Sequence, residues 1–135
     1  MTSLIRLIRD KIRGIPKDVP LDYSQITNNL YIAAWPTKYH REKIISLEVK
    51  LVIATILESI DKELDEPPLT LVHTRGTDIG SRLIYPMGQL MKGVKPAVAT
   101  IQNGGKVMVF CKAGKHRSAT MTACVLVGLG HSTDE

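Results

Sequence analysis

Lys106-Val107-Met108-Val109-Phe110-Cys111-Lys112-Ala113-Gly114-Lys115-His116-Arg117-Ser118 is the stretch on which the reading of this chain turns. Val107 to Phe110 is a short apolar run, rich in β-branched residues, that stops at Cys111. Five residues follow, among them Gly114 and two lysines, and then Arg117 and Ser118. From Ala119 to Val127 the chain is apolar enough, over enough residues, to be a buried helix. The predicted order is strand, tight loop, helix. A cysteine stands where the strand stops and an arginine where the helix starts.

That order has a chemical meaning. Backbone N–H groups of a tight loop entering a helix have no intrahelical partners and converge readily on an anion. The helix dipole adds positive potential at the same point. Arg117 offers a planar fork that matches two phosphate oxygens at once. A cysteine in such a field is expected to have a depressed pKa and to exist partly as thiolate, the nucleophilic form. Ser118 can donate a hydrogen bond to its sulfur. These eight residues suffice to bind a phosphoryl group and attack its phosphorus.

Cys111 to Ser118 matches the C-x5-R-[ST] signature and resembles the protein tyrosine phosphatase superfamily, in particular its small dual-specificity branch. The segment I-T-N-N-L-Y-I-A-A-W-P, Ile26 to Pro36, is similar to the opening hairpin of those enzymes. The resemblance implies an α/β fold: a central mixed β-sheet flanked by helices, with the phosphate-binding loop between a strand and the signature helix. It implies a single catalytic domain over residues 1–135, with 1–20 as an N-terminal helix and connector, and short at the C-terminus beside the family. The activity implied is hydrolysis of phosphomonoesters through a phosphocysteine intermediate, of the dual-specificity (Tyr and Ser/Thr) protein phosphatase type. A phosphoinositide, phospholipid or inositol-phosphate phosphatase of the same fold is one alternative. A pseudophosphatase, binding phosphate with poor turnover, is another.

In this scheme Cys111 is the nucleophile, Arg117 grips the phosphate and Ser118 stabilises the departing thiolate. Lys112, Ala113, Gly114, Lys115, His116 and Arg117 form the phosphate-binding loop. A general acid must also protonate the leaving oxygen. Between Glu66 and Cys111 the only carboxylate is Asp78, and none follows Cys111 until Asp134. Asp78 lies in a glycine-flanked loop after a strand, and 111 − 78 = 33 residues separate it from the cysteine. That spacing resembles the general-acid loop of dual-specificity phosphatases, and Asp78 is the expected acid. No cofactor and no metal are expected; His40, His73, His116 and His131 show no ligand spacing.

Three departures accompany the resemblance. Most relatives carry histidine immediately before the nucleophile, where this chain has Phe110. Relatives continue past the signature helix with further helices, whereas this sequence runs to His131-Ser132-Thr133-Asp134-Glu135. The expectation that follows is apolar surface open to water, hence reduced stability or self-association. Nothing matches the phosphotyrosine-recognition segment of the large tyrosine-specific enzymes, which implies a shallower pocket. The pair Lys112 and Lys115 also occurs in phosphoinositide-directed relatives, and Lys-His-Arg resembles the inositol-pyrophosphate branch.

A chain of 135 residues suits one compact core. Two cysteines in unlike contexts do not make a disulfide framework, so a reducing, cytoplasmic setting is expected, with mitochondrial or membrane-surface association as alternatives. The net charge of +5 favours anionic partners: a phosphorylated protein, a phosphoinositide or inositol phosphate, or an anionic membrane surface. No nucleic acid is expected, because the six aromatic residues do not interleave with the basic ones as a stacking platform would. The longest apolar runs, Leu51 to Leu57 and Cys124 to Leu129, are too short to span a bilayer.

Along the chain, Met1 to Arg13 has helical spacing and a basic polar face, suited to packing on the domain, to a membrane surface or to targeting. Gly14 to Asp22 reads as a connector. Ile26 to Ala34 reads as two strands joined at Asn28-Asn29, Tyr39 to Glu48 as a helix and Lys50 to Leu57 as a buried strand. Glu58 to Glu66 reads as an acidic, solvated loop or helix, Leu69 to Thr74 as a strand and Arg75 to Ser81 as a loop. Apolar residues at 84, 87, 91, 94, 98 and 101 mark a helix face that Pro96 is expected to kink or split, with Asn103-Gly104-Gly105 ending it. Cys124 is expected to be core.

Overall fold

In the computed structural model the described residues are 19–56, 58–74, 77–79, 82–84, 87–111 and 116–130; of 77–79, 82–84, 116 and 117 only the backbone is described. The predicted helix at Met1 to Arg13 lies outside them. The described chain is an α/β fold. Strands β1 (Tyr23–Thr27) and β2 (Leu30–Ala34) form a hairpin, followed by a 3₁₀ turn (Lys38–His40) and helix α1 (Arg41–Ser46). Strand β3 (Val49–Ala54), a second 3₁₀ turn (Lys62–Asp65) and strand β4 (Thr70–His73) come next. A small hairpin, β5 (Thr77–Ile79) with β6 (Arg82–Ile84), precedes helix α2 (Met87–Gln102), strand β7 (Lys106–Cys111) and helix α3 (His116–Gly128).

The main sheet has the order β1-β2-β7-β3-β4. The edge strand β1 is antiparallel to β2; every other pair is parallel. β7 is therefore central and covered on both faces, which is why its sequence is an unbroken apolar run rather than an alternation with polar residues. Its side chains still divide by parity. Val107 and Val109 join Leu30, Leu51 and Ile53 in a core closed by Val94 and Ala97 of α2 and by Met121 and Val125 of α3. Met108 and Phe110 join Tyr31, Val52 and Ala54 on the opposite face, closed by Ile44 of α1 and by Leu64 and Leu69. Parallel pairing brings the carboxyl ends of four strands to one edge, where Ala34 lies opposite Cys111 and Ala54 opposite both Phe110 and His73.

Register at that edge is set from the far end of the sheet. Asn29, in the β1–β2 turn, donates its side-chain amide to Gly105 O at 3.1 Å and accepts from Val107 N at 2.8 Å. These bonds start the β2–β7 ladder at Leu30 opposite Val107. The turn that delivers Gly105 there needs a left-handed residue, and Gly104 supplies it with φ of +84°. Helix α2 comes close to α3 at Gly93, where a Cβ would stand 2.8 Å from Met121 Cε and 3.1 Å from Thr74 Cγ2.

Four sequence expectations change. The Tyr39 to Glu48 helix is divided into a 3₁₀ turn and a short α1. Thr37 and His40 close a capping box at its start, with Thr37 N donating to His40 Nδ1 at 2.9 Å. Pro96 does not split α2, which runs from Met87 to Gln102. The stretch Arg75 to Ser81 contains β5 rather than irregular loop alone. The acidic segment is more than a solvated face: Leu64 is buried, Asp61 accepts from Lys38 N at 2.8 Å, and Asp65 accepts from Leu71 N at 2.8 Å. Cys124 is half-buried and packs against the α2–α3 core, in keeping with its expected place. Among the described residues no helix is long and apolar enough to cross a membrane.

Arg41 ties that acidic segment to α1. Its guanidinium donates to Glu63 O at 2.6 Å, Glu66 O at 3.1 Å and Pro67 O at 2.8 Å. Arg41→Met keeps most of the stem and removes the donors. We expect it to cost about 1–2 kcal/mol, less than three buried charge-assisted bonds because two of these are exposed. The thermal midpoint should fall by roughly 3–8 °C. An unchanged melting curve would show that water replaces the guanidinium without loss.

Candidate active site

Cys111 is the last residue of the central strand, at the edge where the parallel strands end. In open α/β sheets, the crevice outside those carboxyl ends is where ligands bind. The side chain of Cys111 is buried, at 3 % exposure. Its Sγ lies 3.2 Å from Ser118 Oγ, and Ser118, the third residue of α3, is fully buried. The two ends of the signature octet, Cys111 and Ser118, are thus in contact. A hydroxyl at this distance can donate to a thiolate, and the start of a 13-residue helix adds the positive end of its dipole nearby.

The other signature residues follow from this closure. His116 and Arg117 form the first positions of α3, and Arg117 immediately precedes Ser118. Lys112, Ala113, Gly114 and Lys115 lie outside the described residues. Asp78 is the middle residue of β5, opposite Leu83 in the β5–β6 register, and β5 lies against α3. The fold therefore brings the strand bearing Asp78 to the same helix that starts the site. The side chains of Asp78 and Arg117 are not described.

Phe110 fills the core instead of supplying a polar group behind the nucleophile; it is fully buried. Its carbonyl is held by Thr55, which the sequence reading did not single out. Thr55 N and Thr55 Oγ1 both donate to Phe110 O, at 2.9 Å and 2.8 Å. A second pair repeats this one strand further out, where Thr74 N and Thr74 Oγ1 donate to Ala54 O at 2.8 Å and 3.3 Å. The signal for both was present in L-V-I-A-T and L-V-H-T, a hydroxyl residue at the end of each apolar run. Among the described residues no three His, Cys, Asp or Glu side chains cluster as metal ligands would.

No protein-family model and no curated protein matches the chain by sequence. Solved structures do match. PTPMT1 in complex with PI(5)P superposes with a TM-score of 0.66 at 26% identity, covering 78% of this chain and 71% of that one. A mouse putative dual specificity phosphatase complexed with zinc tungstate gives a TM-score of 0.72 at 20% identity, covering 90% and 74%. The core catalytic domain of the PP-IP phosphatase SIW14 from S. cerevisiae, in complex with citrate, gives 0.64 at 17% identity, covering 84% and 70%. The last two likenesses concern the fold alone. The structural neighbours of this chain are dual-specificity-phosphatase-like proteins of the protein tyrosine phosphatase superfamily, and the mixed sheet flanked by helices is their fold.

Proposed function

We propose that this chain is a cysteine-dependent phosphatase of the dual-specificity type, acting on phosphomonoesters through a phosphocysteine. The observation that carries this reading is the contact between Cys111 Sγ and Ser118 Oγ, 3.2 Å apart and buried, at the junction of the central strand and α3. The Cys111 thiolate attacks phosphorus, forming the S–P bond as the bond to the leaving oxygen breaks. Arg117 and the loop amides hold the three equatorial oxygens. Asp78 gives its proton to the leaving oxygen and, as carboxylate, then takes one from the attacking water. The S–P bond breaks, inorganic phosphate leaves, and Ser118 donates to the restored thiolate. The thiol must stay reduced, which suits a reducing, cytoplasmic setting.

A second reading concerns the substrate. PTPMT1 is seen with PI(5)P, and Lys112 and Lys115 put two further cations in the loop of this chain. One scissile phosphate needs only the arginine and the amides, so a phosphoinositide or inositol phosphate with a neighbouring phosphate would use the extra charge. The double variant Lys112→Ala, Lys115→Ala separates this from a phosphoprotein substrate. Each charge-assisted contact is worth roughly 1.5–3 kcal/mol, so losing both should lower kcat/KM on a polyphosphorylated inositol lipid by well over tenfold, roughly 10²-fold or more. Turnover of an aryl monophosphate should fall far less. Equal losses on both substrates would indicate a general effect on Cys111 and favour the phosphoprotein.

A further inference from the structure

We propose that Thr55 and Thr74 form a two-step hydroxyl clamp that positions the Phe110–Cys111 peptide, making Thr55 a positioning residue for the nucleophile. The inference rests on the reading of Cys111 as the nucleophile.

The two threonines occupy equivalent places. Thr55 follows the end of β3 and Thr74 follows the end of β4. Each is fully buried and doubles its backbone bond with a hydroxyl bond to the same carbonyl on the neighbouring strand. In a regular parallel ladder a carbonyl accepts one N–H and its second lone pair is unused. Here both lone pairs are engaged at Ala54 O and at Phe110 O. The chain of contacts runs from Thr74 to Ala54, on to its neighbour Thr55, and from there to Phe110.

The last link matters most. Phe110 C=O and Cys111 N–H share one peptide plane, so two donors converging on the oxygen fix the plane from which the Cys111 side chain departs. The phenyl ring of Phe110 has no donor or acceptor and is sealed in the α1-side core, so it offers no polar hold on the site. The Thr55 backbone N–H supplies one donor to that oxygen, and the hydroxyl adds a second that resists tilting of the peptide plane. Thr74 is held in turn. Gly93 lets α2 approach its methyl so closely that a Cβ there would stand 3.1 Å from Thr74 Cγ2, which favours the rotamer that keeps Oγ1 on Ala54. Thr74 also lies only four residues before Asp78 in the chain, so the same clamp anchors the root of the segment carrying the proposed acid.

Thr55→Val and Thr55→Ser separate hydroxyl from volume. Valine keeps the shape and the backbone bond but removes the hydroxyl; serine keeps the hydroxyl and loses a methyl. Losing one hydrogen bond of this kind should lower kcat/KM of Thr55→Val on an aryl phosphate by roughly two- to tenfold. The loss should appear in kcat with KM nearly unchanged. The pH at which iodoacetamide alkylates Cys111 at half-maximal rate should rise in the same variant. Thr55→Ser should stay within about twofold of wild type on both readouts. The reverse pattern, serine impaired and valine like wild type, overturns the clamp in favour of packing. If Thr55→Val does not fold, Thr55→Ser against Thr55→Ala makes the same decision, since both lose the methyl and differ only in the hydroxyl. Wild-type protein that turns over no phosphomonoester would remove the phosphatase reading but not this test. A hydroxyl-dependent difference in Cys111 alkylation then still supports the clamp, and its absence overturns it.

Discussion

Cys111→Ser is expected to abolish phosphatase turnover while leaving the fold in place. Removing the nucleophile forfeits the covalent route altogether, and losses on the order of 10⁴-fold or more are typical of such changes. The exchange replaces one buried sulfur by oxygen beside Ser118 and should cost only about 1 kcal/mol of stability. Turnover of an aryl phosphate, with a melting curve on the same samples, checks both halves. Vanadate should inhibit the wild-type enzyme and EDTA should not, because attack, phosphate binding and proton transfer are assigned to thiolate, guanidinium, amides and carboxylate. Mild peroxide should inactivate it reversibly, as low-pKa thiolates oxidise readily, first to the sulfenic acid. Undiminished activity in Cys111→Ser would falsify the mechanism.

Asp78→Asn carries the second large effect. A positioned general acid contributes on the order of 10²–10⁴-fold, and the contribution is greatest when the leaving group is a poor one. Alkyl phosphates should therefore lose roughly 10²–10⁴-fold, and aryl phosphates with acidic phenols much less. The pH profile supplies a second check. An acid that must be protonated makes kcat fall as pH rises through its pKa, and in Asp78→Asn that high-pH decline should vanish. Equal losses on both substrate classes, with the decline intact, would mean that β5 presents Asp78 for some other purpose.

The site and the scaffold were legible to different degrees. The turn at Asn28-Asn29 and the strands β2, β3, β4 and β7 appear where apolar and β-branched runs placed them, because local pattern and burial agree there. However, β1 begins at Tyr23, three residues before the run that marked it, and β3 ends at Ala54 rather than Leu57. The β5–β6 hairpin was not legible. Each of its strands has only three residues, too few for period-two alternation to stand out from loop composition. Pro96 is expected from sequence to kink or split the helix, and of these the split does not occur: α2 continues through it. A proline removes one backbone donor, and the packing of Val94 and Ala97 on β3, β7 and α3 outweighs that loss.

Cys111, Gly114, Arg117 and Ser118 stand out in the sequence as candidates because the chemistry proposed for them is contiguous: an anion loop needs strand end, loop and helix start in immediate succession. Asp78 stands out as the candidate acid because carboxylates are scarce in that half of the chain. What only tertiary structure decided are the contacts made across long loops. Thr55 reaches Phe110 over 55 residues, Asn29 reaches Gly105 over 76, and Arg41 reaches three carbonyls more than 20 residues away. Their acceptors are backbone carbonyls, which every residue type carries, so no side-chain pattern in the sequence marks the partner. Strand order and register alone bring such a carbonyl within reach of a particular hydroxyl, amide or guanidinium.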